Sequence, residues 1–254
     1  MRTLMIIGIG AGDPGFVTLA AVEAMKRAQV IFMPDKGEEK AGLNRVRLQM
    51  LQRFVDKPLY RLVDFEIPER RKAATPEYRE SIEAWRAKVE AAYRKLFTED
   101  LGEDETGAFL VFGEPALYDG TLRILKEMQA NGWGFDLQVI PGISAPQALA
   151  ARHEVALNRV GETVTITTGR RVSEGEADGL SSFVVMLDNH EAFQRFIGRS
   201  AEIFWGAYLG TEDEILIAGA LDTVAAEISR VRRAAQARHG WIMDTYMIRL
   251  PEKR

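Results

Sequence analysis

The residue types able to do chemistry gather in three loops: GAGDPG (10–15), FGEPALYDGT (112–121) and PGISAPQA (141–148). Each follows a buried apolar run, at Leu4–Ile7, Phe109–Phe112 and Gln138–Ile140. In a parallel α/β sheet such loops line one rim, and ligands bind outside the carboxyl ends of the strands. Gly8, Gly10, Gly12 and Gly15 crowd the first loop, so the backbone there turns sharply or is approached closely. A dinucleotide-binding reading meets obstacles. Gly8, Gly10 and Asp13 give G-x-G-x-x-D, the third small residue is missing, and Pro14 interrupts the loop. No strand ending in an acidic ribose ligand follows about twenty residues on. A nicotinamide-dependent oxidoreductase using Gly8–Gly12 as a phosphate loop stands as the reading from a different class.

These loops need elements to hold them. Leu4–Ile7 and Gln29–Met33 read as buried strands around the helix Leu19–Ala28, which Thr18 caps. Strand, helix, strand within about thirty residues is a βαβ unit and implies a parallel sheet. Pro34 is expected to end the second strand. Leu43–Val55 reads as helix and Pro58–Ile67 as an extended segment. Thr75–Thr98 carries the longest helical pattern, opened by Thr75-Pro76-Glu77. Asp119–Thr121 opens a helix that Asn131-Gly132 closes, and Ser144 caps another with Pro146 in its first turn. Strands are expected at Thr163–Thr168, Phe183–Leu187, Ile203–Tyr208, Ile215–Ala218 and within Trp241–Leu250, with a helix over Leu221–Arg233. The expectation is two α/β lobes, 1–115 and 116–254.

The chain has 254 residues, 46% hydrophobic and 28% charged, with a formal charge of −4. That size supports a large core. The acidic balance argues against a general nucleic-acid binder. With no cysteine, disulfides, thiolate metal sites and cysteine nucleophiles are excluded. His153, His190 and His239 lack ligand spacing, so no metal site is expected. No apolar run reaches membrane-spanning length and no signal-peptide pattern opens the chain, so a cytoplasmic protein without membrane attachment is expected.

Taken together the three loops resemble the tetrapyrrole methylase family, the class III S-adenosylmethionine-dependent methyltransferases. The family's G-x-G-x-G-D-P-x-x-[LV]-T, G-D-P-x-x-Y and P-G-[IV]-[ST]-[SA] stand here as Gly8–Thr18, Gly113–Tyr118 and Pro141–Ala145. Tyr208–Leu221 is similar to the family's late strand and loop. Ala156–Arg171, Val184–Asn189, Trp205–Glu214 and the helical insertion Thr75–Thr98 are similar to a corrin-pathway subgroup. Its members methylate a ring-A carbon and release the acetyl unit carried there. Alternatives within the family are C-methyltransferases acting at other ring carbons or on uroporphyrinogen. A non-catalytic tetrapyrrole carrier is a further alternative, opposed by the intact first and third loops.

The resemblance implies a two-lobed α/β fold, with a parallel-sheet N-terminal lobe, a mixed-sheet C-terminal lobe and the cofactor in the cleft between them. S-adenosyl-L-methionine is implied at Ala11, Phe112, Gly113, Glu114, Leu117, Ser144, Ala145, Leu187 and Gly210. Glu114 replaces the family's aspartate, and Leu187 stands where many relatives place methionine. The implied substrate, a tetrapyrrole rich in carboxylates, calls for cations. Arg170 and Arg171 are the leading pair, ahead of Lys36, Arg45 and Arg152. Asp35, Lys36 and Tyr118, with Asp119 beside them, are the implied acid–base groups. Relatives are commonly homodimers, so a homodimer is expected.

Overall fold

The computed structural model describes residues 1–35, 41–56, 60–68 and 78–251. Lys36, Pro58 and the expected helix start at Thr75–Glu77 lie outside them. The chain divides into two compact units, Met1–Gly10 with Pro14–Ile143, and Ala11–Asp13 with Ser144–Arg254. The division thus falls at 143/144, where the sequence reading placed it at 115/116.

Among the described residues of the first unit, five strands form one sheet: β1 (Thr3–Gly8), β2 (Val30–Asp35), β3 (Arg61–Glu66), β4 (Thr106–Val111) and β5 (Asp136–Ile140). Their order is β3-β2-β4-β1-β5, all parallel. β5 pairs with β1, which is why the unit continues past residue 115. The strands are continuous apolar runs because both faces are covered. Helices α1 (Leu19–Arg27) and α2 (Ala41–Phe54) cover one face, where Ala21, Ala24, Met25 and Leu51 pack on Met5, Ile7, Ile31 and Leu110. Helices α3 (Tyr78–Lys95) and α4 (Thr121–Ala130) cover the other, where Val89, Tyr93, Ile124 and Leu125 pack on Leu4, Ile6, Phe32 and Phe109.

The expected βαβ unit forms: β1 and β2 are parallel members of one sheet, with β4 between them. One local expectation changes. Pro34 sits inside β2 instead of ending it. β2 pairs with β4 only through Phe32–Phe109 and keeps only β3 as partner through Asp35. A residue without N–H is tolerated where one ladder has already ended.

Arg61 at the start of β3 holds Glu105, just before β4, with Nη1 and Nη2 at 2.8 and 2.6 Å from the two carboxylate oxygens. That bond, with the Gly102 N–H second, lowers the Glu105 pKa to about 2. A carboxyl depressed on folding stabilises above its unfolded pKa of about 4.3 and loses that contribution as pH falls through the folded value. The pair is half exposed on the arginine side. Glu105→Gln is therefore expected to lower the free energy of unfolding by only ~1 kcal/mol at about pH 7. The difference should shrink as pH falls toward about 3, read by urea unfolding; a pH-independent difference contradicts this.

In the second unit the described strands are β6 (Ile166–Thr168), β7 (Ser182–Met186), β8 (Glu202–Ala207), β9 (Ile215–Ala220) and β10 (Asp244–Arg249). The order is β6-β7-β10-β8-β9, with β6 and β7 parallel and the other pairs antiparallel. This is the expected mixed sheet. The helices are α5 (Ala145–Arg152), α6 (Gly169–Ser173) and α7 (Leu221–His239). One face buries Phe183, Val185, Trp205 and Tyr246 against Ala225 and Ile228 of α7 and against Phe193 and Phe196. α7 runs past the expected end at Arg233, because Arg232 and Ala235 are buried rather than solvated. β6 starts three residues later than expected, although Thr165 O still accepts from Val184 N. Among the described residues no helix is long and apolar enough to cross a membrane.

Candidate functional site

β1 feeds α1 on one face of the first sheet, and its neighbour β4 feeds α4 on the other. Adjacent parallel strands whose connections leave to opposite faces open a crevice at their carboxyl ends. Both glycine-rich loops of the first unit start there. Gly8 ends β1, Gly113 follows β4, and Gly142 follows β5. A Cβ on Gly142 would lie 2.1 Å from Gly113 O, and one on Gly8 would lie 2.6 Å from Gly142 N. Three strand ends therefore meet backbone to backbone, an approach only glycine allows. Gly113 N donates to Gly10 O at 2.8 Å.

Glu114 ties the central loop to the third one. Its Oε2 accepts from Gly142 N at 2.8 Å and its Oε1 from Ala116 N at 2.9 Å. Both carboxylate oxygens of Glu114 are thus engaged by backbone N–H groups. Leu117 N closes a turn on Glu114 O, and Asp119 Oδ1 accepts from Thr121 N, the first residue of α4. Tyr118 between them is exposed at φ +57°. Asp35 is exposed at the end of β2.

Arg47 was not singled out from sequence. The sequence reads only as a helix over Leu43–Val55, and nothing in it sets Arg47 apart from Arg45 or Arg53. It is buried, with Nε on Leu110 O at 2.9 Å, Nη1 on Asn44 Oδ1 at 2.9 Å, and its guanidinium over the Phe112 ring. It thus caps β4 where β2 departs and fixes the Phe112 side chain. Burial lowers its pKa to about 10, against the opposing pull of Asp119.

In the second unit Ala11–Asp13 packs on the Tyr208–Glu214 loop. A Cβ on Gly12 would meet Leu209 O at 2.8 Å, and one on Gly210 would meet Asp13 N at 2.5 Å. Arg152 clamps the two segments, with Nη2 on Asp13 Oδ2 at 2.9 Å and Nε on Glu214 Oε2 at 3.0 Å. Glu214 Oε2 also takes Gly210 N. Arg152, expected among the substrate cations, is thus engaged in holding loops. Ser144 caps α5 as expected, sharing its hydroxyl with Gln147 in a capping box. Ala145 begins the same helix.

Leu187 follows β7, 60% exposed, with φ +55°. Arg170 and Arg171 open α6, exposed and ion-paired with Glu174 and Glu176. Exchanging such pairs for a ligand's carboxylates costs little. Leu187 and Tyr208 adopt left-handed backbone directly after strands β7 and β8, and Tyr118 does so within the loop that follows β4. That conformation costs a non-glycine residue ~1–2 kcal/mol, and such strain concentrates at ligand sites. Burial also pushes the Tyr208 phenol up to about 12.

Residues 3–225 match the family described as Tetrapyrrole (Corrin/Porphyrin) Methylases. The chain is 46% identical to precorrin-6A synthase [deacetylating] of a Sinorhizobium species, over 98% of this chain and 95% of that one. Among solved structures it is similar to a cobalamin-synthesis-related protein (CobF) of Corynebacterium diphtheriae, with TM-score 0.84, 35% identity, and coverage of 99% and 100% of the two chains. The Thermus thermophilus uroporphyrin-III C-methyltransferase complexed with S-adenosylhomocysteine shares the fold at TM-score 0.59 and 14% identity, covering 97% and 91%.

Proposed function

This chain belongs to the tetrapyrrole (corrin/porphyrin) methylase family, and from that premise we propose that it is a precorrin-6A synthase of the deacetylating kind. It is an S-adenosyl-L-methionine-dependent C-methyltransferase of cobalamin biosynthesis. It methylates precorrin-5 at the ring-A carbon with release of acetate, giving precorrin-6A. The likeness to the Sinorhizobium enzyme over nearly the whole chain carries this reading.

S-adenosyl-L-methionine is assigned to Ala11, Phe112, Gly113, Glu114, Leu117, Ser144, Ala145, Leu187 and Gly210, with S-adenosyl-L-homocysteine as product. When bound, it supplies an electrophilic methyl group on a cationic sulfur. The donor set fits such a molecule: backbone groups of tight turns, small side chains, and the exposed apolar Leu187. The Ser144 hydroxyl and N–H both belong to the α5 cap, on Gln147 Oε1, so this residue shapes the site by fixing the start of the helix. Much of the acceleration then comes from alignment. Arg170 and Arg171 take substrate carboxylates. A homodimeric state and a cytoplasmic location belong to the same reading and rest on the resemblance.

Release of acetate requires a nucleophile at the acetyl carbonyl and a base. Asp35 serves as that base, taking the proton of the attacking water as the bond between ring carbon and acetyl carbon breaks. The electron pair stays on the ring carbon, which takes the methyl group, with Lys36 and Tyr118 as further acid–base groups. Asp35→Asn is expected to lower turnover about a hundredfold and leave affinity for S-adenosylhomocysteine intact. Unchanged turnover removes Asp35 from the role. The whole reading is tested with precorrin-5 and methyl-labelled S-adenosylmethionine, followed by mass analysis. Methyl gain with free acetate is expected. Methyl gain without acetate reassigns the chain within its family, and no methyl gain overturns the reading.

A further inference from the structure

Leu187 is a large aliphatic side chain, exposed, in a backbone conformation that disfavours it. Such a residue persists only when its surroundings over-determine it. The next residue supplies that constraint. Asp188 is 3% exposed. Its Oδ1 accepts from His190 N at 2.9 Å, and its Oδ2 accepts from Ala192 N and from the Tyr246 hydroxyl, both at 2.7 Å. Its backbone carbonyl accepts from Arg232 Nη2 at 2.6 Å. Arg232 is 5% exposed and is itself held by Asp244 Oδ2 at 2.9 Å.

The constraint comes from three directions. Asp188 leaves β7. Tyr246 stands on β10 beside it, paired with Val185. Arg232 reaches across from α7. A fourth element is in contact: a Cβ on Gly169 would lie 2.3 Å from Asp188 Oδ1. The carboxylate therefore rests against the start of α6, one residue before Arg170. β6 and β7 are the parallel pair of this sheet, and Asp188 sits at both their carboxyl ends.

We propose that Asp188, Arg232 and Tyr246 form a positioning cluster. It holds Leu187 in its left-handed conformation for the cofactor and fixes the start of α6 that carries Arg170 and Arg171. These three residues touch neither cofactor nor substrate; they act through their neighbours. The proposal rests on the assignment of Leu187 to S-adenosylmethionine.

The test is a double-mutant cycle on S-adenosylhomocysteine affinity, read by calorimetry on the full chain. Asp188→Asn removes one acceptor and is expected to weaken binding about tenfold. Glycine adopts φ +55° without strain. In the Leu187→Gly background, Asp188→Asn is therefore expected to cost no more than about twofold. Losses that multiply overturn the proposal, because a role in general stability is indifferent to residue 187. Should Asp188→Asn not fold, Tyr246→Phe carries the same cycle, with an expected loss of about threefold in the wild-type background. In turnover, Tyr246→Phe should raise KM for S-adenosylmethionine and leave kcat within about twofold; an equal fall in kcat overturns the proposal. Leu187→Asp separates the two readings: if it leaves affinity unchanged, the assignment of Leu187 to the cofactor fails, whatever the cycle gives.

Discussion

Gly142→Ala is expected to destabilise the first unit by more than ~3 kcal/mol and to abolish binding of S-adenosylhomocysteine. The new Cβ would meet Gly113 O at 2.1 Å and Gly8 Cα at 2.9 Å. Both are backbone atoms, so no rotamer change relieves the clash. Gly8 ends β1, paired with Val111 of β4, and Gly113 N is bonded to Gly10 O, so neither can retreat without breaking backbone bonds. Moving Gly142 instead breaks its bond to Glu114 and releases the tie between the central and third loops. The conformational freedom of glycine is not the issue here; the volume of one methyl group is. Gly134→Ala is the control, since a Cβ there meets nothing within 4 Å. It should leave stability within about 0.5 kcal/mol of the wild type. Urea unfolding and calorimetry read both variants. A Gly142→Ala protein with near wild-type stability would show that the three strand ends do not meet as described.

The parts of this site that could be read from sequence are those whose cause is local. Thr18 and Ser144 announce helix starts because a cap acts within three residues. The glycines of Gly8–Gly15 announce a close approach because only that residue type permits one. What they approach is not local, and no spacing reveals it. Gly142 looks like an ordinary turn residue after Pro141 until Gly113 is seen against it. Charged residues mislead for the same reason. Nothing in the sequence marks what Arg47, Arg152 and Arg232 hold. In the structure Arg47 caps a strand end, Arg152 clamps Asp13 to Glu214, and Arg232 is buried on Asp244. Arg152 and Asp13 stand 139 residues apart. The resemblance to relatives named the loops, but it could not separate a cation that meets substrate from one that holds a loop. The same limit hid Asp188, which looks like a loop residue after VVML and is instead among the most buried charges of the chain.

Arg232→Met should show how much depends on that buried pair. Arg232 and Asp244 are 6% and 5% exposed at their side chains and meet at 2.9 Å. Removing one partner of a buried pair strands the other, typically at ~3–5 kcal/mol. Here the stranded group is Asp244, whose remaining donor is Trp205 Nε1 at 3.0 Å. The pH dependence gives the loss its signature. Burial already raises the Asp244 pKa, with Arg232 opposing, so deleting the guanidinium raises it further. A carboxyl raised on folding favours the native state below its unfolded pKa of about 3.9 and loses that advantage as pH rises through the folded value. The deficit of Arg232→Met should therefore be largest at about pH 7 and smallest near about pH 4. Adding Asp244→Asn should recover part of it, since a neutral amide oxygen still accepts from Trp205 and no longer needs a counter-charge. Urea unfolding across pH distinguishes this from simple loss of packing, which would give a deficit independent of pH and untouched by the second substitution. Because Arg232 also donates to the Asp188 carbonyl, the same variant should weaken S-adenosylhomocysteine binding even where it remains folded. That outcome joins the stability of the second sheet to the conformation of Leu187.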